Sequence, residues 1–209
     1  MKPFLTLHDP AAARSYYDQG LWQDDTFYTL LARHAAERPD AKALRDGRVI
    51  LDWRGLKARV DAMADSLQSA GIHAGDRISI WMSNRAEAVV TFLACSRQGI
   101  ACNPSLHRSY TCGEIVDLLS ELNARAIVTE DGWGADRKAH DFGAMVDELP
   151  FVKRLYTPDN FPMHIMGDGQ TIHTNPDSIV YLAFTSGTTG KPKCVMHSSN
   201  TLLANARDL

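Results

Sequence analysis

The chain has 209 residues, 44% of them hydrophobic and 22% charged, with a net charge of −3. That is globular composition with length for one sizeable core or two small ones, and its charge does not point to nucleic acid. Four cysteines, Cys95, Cys102, Cys112 and Cys194, show no C-x-x-C spacing and are too few for a disulfide scaffold, so the chain reads as cytoplasmic with its cysteines mostly small buried hydrophobes.

The opening MKPFLTLHDP has no signal-peptide core, and AVVTFLAC (88–95) is far short of the roughly 20 residues of a membrane span. Residues 26–38 read as a helix with Leu30, Leu31, His34 and Ala35 on one face and Pro39 as its stop. Asp46-Gly47 lies between two short apolar runs, a hairpin signal. Asp52 can cap the next helix, which carries Leu56, Val60, Met63 and Leu67 and ends at Gly71.

An alternation follows. Residues 76–83 form a strand. Asn84 with Glu87 gives a capping-box-like start to a helix that carries Val89, Phe92, Leu93 and Ser96 and stops at Gly99. A short strand ends at Pro104. Thr111 and Glu114 form a capping box for a helix with Ile115, Leu118, Leu119 and Leu122, closed by Asn123. Residues 125–130 are the next strand. Strand and helix in alternation predict an α/β fold with Rossmann-like crossovers and a parallel sheet layered with helices.

Residues 131–177 are less patterned. ELPFVKRLYTP reads as a short helix end and a strand, and the turn-rich stretch after it as a connection. The expected division is a first α/β part over 1–175 and the start of a second unit over 176–209. IVYLAF (179–184) is a continuous apolar run, as a buried strand should be. CVMH (194–197) is a second strand, and Ser198 or Ser199 caps a final helix that has no stop signal before Leu209.

Between those strands lies TSGTTGKPK (185–193). Gly187 and Gly190 allow close backbone approach to a ligand. Thr185, Ser186, Thr188 and Thr189 supply hydroxyls, Lys191 and Lys193 supply charge, and successive N–H groups can form an anion nest. A Walker A loop is disfavoured. Two residues separate the glycines instead of four, and Pro192 stands where the magnesium-binding hydroxyl belongs. A solvent-exposed hairpin loop is the plain alternative.

YLAFTSGTTGKPKCVMHSSN closely resembles the phosphate-loop signature of the AMP-forming adenylating enzymes: acyl-CoA synthetases, firefly-type luciferases and peptide-synthetase adenylation domains. TLLARHAAERPDAKAL and LQSAGIHAGDRISIWMSNRAEAVVTFLACSRQGIACNPS are similar to upstream segments of the same family. One departure is Cys194, where the family usually has glycine; in extended strand, cysteine is harmless there.

The resemblance implies ATP with Mg2+ as a co-substrate, a small carboxylic acid converted to acyl-AMP with release of pyrophosphate, and CoA as the acceptor that forms a thioester. It implies that Thr185, Ser186, Gly187, Thr188, Thr189, Gly190 and Lys193 hold the β- and γ-phosphates, with Lys191 a weaker member. His197 falls near the acyl site or is a strand-end histidine. A medium or long fatty acid is the default substrate. The family's ribose and magnesium segments and its late lysine come after the phosphate loop, so the chain reads as an N-terminal portion, inactive alone. Alternatives are a non-catalytic nucleotide-binding or interaction fragment, or an adenylation domain serving another acceptor. His164 and His173 flank a turn and read as solvated. Cys95, Cys102, Trp53, Trp81 and Phe92 read as core.

Overall fold

A computed structural model describes residues 9–104, 106–164, 172–185 and 193–207. The first element is a helix with no counterpart among the expected ones. Helix α1 (Pro10–Asp18) begins with proline at N1, and Asp9 accepts hydrogen bonds from the Ala11 and Ala12 N–H groups. Asp-Pro before an alanine run is a helix start in its own right.

Helix α2 (Phe27–Glu37) is capped by Thr26 in a box with Thr29. Its buried residues are Tyr28 and Leu31, so the inward face is turned from the expected Leu30/His34/Ala35 stripe. The Asp46-Gly47 hairpin is present: β1 (Lys42–Arg45) pairs antiparallel with β2 (Ile50–Asp52). Asp52 caps α3 (Trp53–Ser69) by accepting from the Gly55 N–H, and Gly71, at φ 71°, follows the C-cap Ala70. The left-handed residue after the last turn lets the Ile72 and Gly71 N–H groups close on the Leu67 and Gln68 carbonyls.

Strand β3 (Arg77–Trp81) leads to α4 (Ala86–Gln98), then β4 (Ala101–Asn103), α5 (Cys112–Leu122) and β5 (Ala126–Thr129). Every residue of the three strands is buried. Such runs show no alternation because helices cover both faces. The α5 capping box of Thr111 and Glu114 forms as read, and Asn123 closes the helix at φ 51°. Helix α6 (Phe142–Asp147) and β6 (Arg154–Tyr156) fill the stretch around ELPFVKRLYTP.

Helix α4 departs from expectation at both its start and its face. Its N-cap is Arg85, without a side-chain cap bond, and Asn84 plays no capping part. The Ala86 N–H instead donates to Asp46 Oδ2 of the β1–β2 hairpin, at 2.9 Å. The buried side is Val90, Thr91, Ala94 and Cys95, while Val89 is exposed and Phe92 and Leu93 half-buried. Thr91 can be buried because its hydroxyl donates to the Glu87 carbonyl. Phe92 instead packs edge-on against Phe27, at 5.0 Å between centroids.

The chain then adds β7 (Ile179–Thr185), β8 (Lys193–Ser198) and α7 (Ser199–Arg207). Ser198 and Thr201 exchange cap bonds at the start of α7. The six strands run in the order β6-β5-β3-β4-β7-β8, parallel except for the antiparallel β7–β8 pair. The fold is the expected layered α/β sheet. One core contains Tyr28, Met63, Leu67, Ile78, Ile80 and Cys102 on the α2–α4 side; the other contains Trp81, Ile115, Leu119, Ile127, Phe142 and Leu182 on the α5–α6 side.

Candidate functional site

The β7–β8 hairpin carries the candidate site. Because β7 runs parallel to β4, Thr185 emerges at the carboxyl edge of the parallel strands. Ligands of open α/β sheets bind at that edge. Thr185 and Lys193 form the last register pair of the hairpin, both exposed, and the Thr185 hydroxyl donates to the Lys193 carbonyl at 3.4 Å. The other phosphate-loop residues, Ser186, Gly187, Thr188, Thr189, Gly190 and Lys191, lie outside the described residues.

The helix N-termini on this edge are already engaged. The Ala86 N–H of α4 is taken by Asp46, the Cys112 N–H of α5 by Asp136 Oδ1 at 2.8 Å, and the Glu114 N–H by Thr111. Backbone bonds to Cys112 hold the Asp136 carboxyl below the usual range, as does the charge of His140. An anion arriving here therefore meets helix ends whose positive poles are offset by carboxylates. Donors have to come from the hairpin itself, as the hydroxyl- and lysine-bearing sequence suggests.

Cys194 lies in β8 opposite Phe184. Among the described residues, the one non-glycine at positive φ is Asn123. Cysteine therefore meets no backbone strain in the position where glycine is usual. Partial burial of its sulfur, and the Glu121 carboxylate nearby, push the thiol pKa up, so the thiol is a poor nucleophile.

His197 pairs with Tyr181, edge to face at 6.0 Å, and its Nδ1 lies 3.4 Å from the Thr201 hydroxyl. Tyr181 in turn meets Phe92 at 6.1 Å. The half-buried imidazole thus ends a row of rings running along one face of the sheet. His173 corrects the reading of a solvated turn. It is half-buried, its N–H donates to the Arg97 carbonyl, and its Nε2 lies 2.9 Å from the Ser178 hydroxyl. Burial lowers its pKa, which keeps it neutral. Its ring packs on Gly99, where an added Cβ would fall 2.7 Å from Nδ1.

The group that holds α4 in place carries no local sequence signal. Arg85 forms bonds to Glu87 at 3.0 Å and to Glu130 at 3.2 Å, while Glu130 accepts from the Ser83 N–H. These residues bind the carboxyl ends of β3 and β5 together. Among the described residues, no three His, Cys, Asp or Glu side chains gather as metal ligands, and no helix is long and apolar enough to cross a membrane.

A family model described as AMP-binding enzyme matches residues 31–209. The acetyl-coenzyme A synthetase of Laribacter hongkongensis is 27% identical over 98% of this chain and 35% of that enzyme. The medium-chain fatty-acid–CoA ligase of Escherichia coli is 27% identical over 99% of this chain and 38% of its own length. The chain thus spans about a third of the length of these curated relatives. The apo structure of Mycobacterium smegmatis MbtA superposes with a TM-score of 0.80 at 22% identity, over 97% of this chain and 39% of that one.

Proposed function

The chain belongs to the AMP-binding enzyme family, and from that premise we propose that it contributes the phosphate-binding part of an ATP-dependent acyl-CoA ligase. A carboxylate oxygen of the acid attacks the α-phosphorus of MgATP. The bond from that phosphorus to the bridging oxygen breaks, and pyrophosphate leaves with the electron pair. The CoA thiol then attacks the acyl carbon, losing its proton as AMP departs. A fatty acid is the substrate class we favour, since the relatives' names run from acetyl to medium-chain acyl groups.

The observation that carries this reading is the placement of Thr185 and Lys193 as a register pair at the carboxyl edge of the sheet. In our reading, Lys193 neutralises the departing pyrophosphate. Thr185, Ser186, Gly187, Thr188, Thr189 and Gly190 donate to its oxygens, with Lys191 secondary. Charge developing on a leaving group is where fixed donors accelerate most. His197 lines the acyl side. Magnesium enters with ATP as part of the substrate. The division near residue 175 belongs to the same proposal, with 176–209 opening the unit that holds the nucleotide.

Calorimetric titration of MgATP into the 209-residue chain tests the phosphate role. A charge-assisted bond contributes about 1.5–3 kcal/mol, so Lys193→Ala should weaken binding about 10- to 100-fold. Equal affinity in the two proteins would remove Lys193 from the site. The chain alone is expected to lack carboxylate-dependent ATP–pyrophosphate exchange, since it spans about a third of its relatives. Robust exchange would overturn that expectation.

A further inference from the structure

Asn200, the second residue of α7, is fully buried, and its carboxamide is engaged by groups far away in sequence. Its Oδ1 accepts from the Gln23 N–H at 3.0 Å. Its Nδ2 donates to the Tyr17 hydroxyl oxygen at 2.8 Å and to Asp177 Oδ1 at 2.9 Å. The Tyr17 hydroxyl donates in turn to Asp177 Oδ2 at 3.0 Å. The Asn200 backbone N–H reaches the Pro176 carbonyl at 3.2 Å. At the far end of α7, Arg207 reaches the Leu21 carbonyl and approaches Asp25. Residues 17–25 therefore form a strap across α7.

The position of this network matters. Asp177 stands two residues before β7, and Asn200 two residues after the end of β8. The network thus ties together both strand ends at the base of the hairpin, opposite the Thr185–Lys193 end. Among the described residues, β7 joins β4 at the register pair Cys102–Tyr181, Val180 and Leu182 anchor it in the core, and β8 is the edge strand, so the exposed Thr185–Lys193 end depends on how the base is held. From the base at Ile179 to Thr185 the hairpin extends about 20 Å, at about 3.3 Å per residue. A tilt of about 5° at the base would then move the far end about 2 Å, and misplacement by about 1 Å can cost roughly 100-fold in rate.

We propose that Asn200, acting with Tyr17 and Asp177, is a positioning residue for the phosphate-contacting end of the hairpin. It fixes the base of β7–β8 so that Thr185 and Lys193 meet the phosphates in one place. The functional half of this inference rests on the ATP reading above; the structural half does not.

Tyr17→Phe in the 209-residue chain is the test, because it deletes the bridging hydroxyl and keeps the ring against Trp22, 5.8 Å away. Amide hydrogen exchange should accelerate about fivefold in β7 and β8, with β3 and β5 unchanged. No acceleration in the hairpin, or equal acceleration through the whole sheet, overturns the proposal. In parallel, MgATP should bind Tyr17→Phe about three- to tenfold more weakly than the wild-type chain; unchanged affinity overturns the positioning role. If the wild-type chain binds no MgATP, the ATP reading fails, and the exchange pattern still decides whether Asn200 anchors the hairpin.

Discussion

Asp46 sets the geometry of two elements at once. Its carboxylate accepts from the Arg48 N–H at 2.8 Å and the Val49 N–H at 2.9 Å, shaping the β1–β2 turn, and from the Ala86 N–H at 2.9 Å, capping α4. Helix α4 has no cap from its own N-cap residue. Each of these bonds contributes about 1 kcal/mol net, and loss of a helix cap alone costs about 0.5–2 kcal/mol. Asp46→Ala should therefore destabilise the chain by about 2–3 kcal/mol, measured by urea unfolding. Asp46→Asn keeps an oxygen acceptor for the turn but presents an N–H2 group among three N–H donors, and should cost about 1 kcal/mol.

The same contacts predict a pH dependence. Bonds from Ala86, then Val49 and Arg48, hold the Asp46 carboxyl at about 2. An unfolded aspartate titrates near about 3.9, so the folded pKa is the depressed one. The stabilisation is full above about pH 4 and is lost as pH falls towards about 2. Since the side chain is half-exposed, solvent screening trims it to about 1–2 kcal/mol. Asp46→Asn should lack this component. A loss under about 0.5 kcal/mol in Asp46→Ala, or Asn costing as much as Ala, would refute the reasoning.

Two further substitutions probe the interior. Asn103 is fully buried and, among the described residues, neither of its carboxamide atoms has a partner, nor does the Ser79 hydroxyl on the neighbouring strand. Leucine has the same branched heavy-atom skeleton and leaves no polar atom unpaired, so, with the extra bulk of its methyls offsetting part of the gain, Asn103→Leu should leave stability unchanged or raise it by about 1 kcal/mol. A loss above about 2 kcal/mol in thermal unfolding would show that the amide has a partner. Gly99→Ala places a Cβ against the His173 ring at φ 69° and should cost about 2 kcal/mol or more. In Gly99→Ala/His173→Ala, the steric share should return and leave about 1 kcal/mol of backbone cost. A double variant whose losses simply add would show that the ring is not the obstacle.

Most of the fold was legible because its signals are local. Thr111 and Glu114 are three residues apart, and one helical turn brings them into a reciprocal cap. Gly99 and Asn123 end helices where the chain needs a left-handed residue. The buried runs of β3, β4 and β5 show in their composition. The inward faces of α2 and α4 were misjudged, since a helix wedged between neighbours buries more than one stripe. Asp61 shows the same effect: Tyr28, Lys57 and Arg97, from three helices, satisfy its carboxylate. No periodicity rule anticipates a buried aspartate.

At the candidate site the sequence alone determined the chemistry: hydroxyls, glycines and lysines between two apolar runs, in an order that resembles one family. It also determined that the runs are strands. Tertiary structure decided what surrounds them. It put Asp46 on α4 from forty residues away, occupied the helix ends that could have met an anion, and closed the base of the hairpin with Tyr17, Asp177 and Asn200. Local signals depend on bond geometry over a few residues. These contacts join side chains up to 183 residues apart, and only the packing of the whole chain brings them within hydrogen-bonding distance.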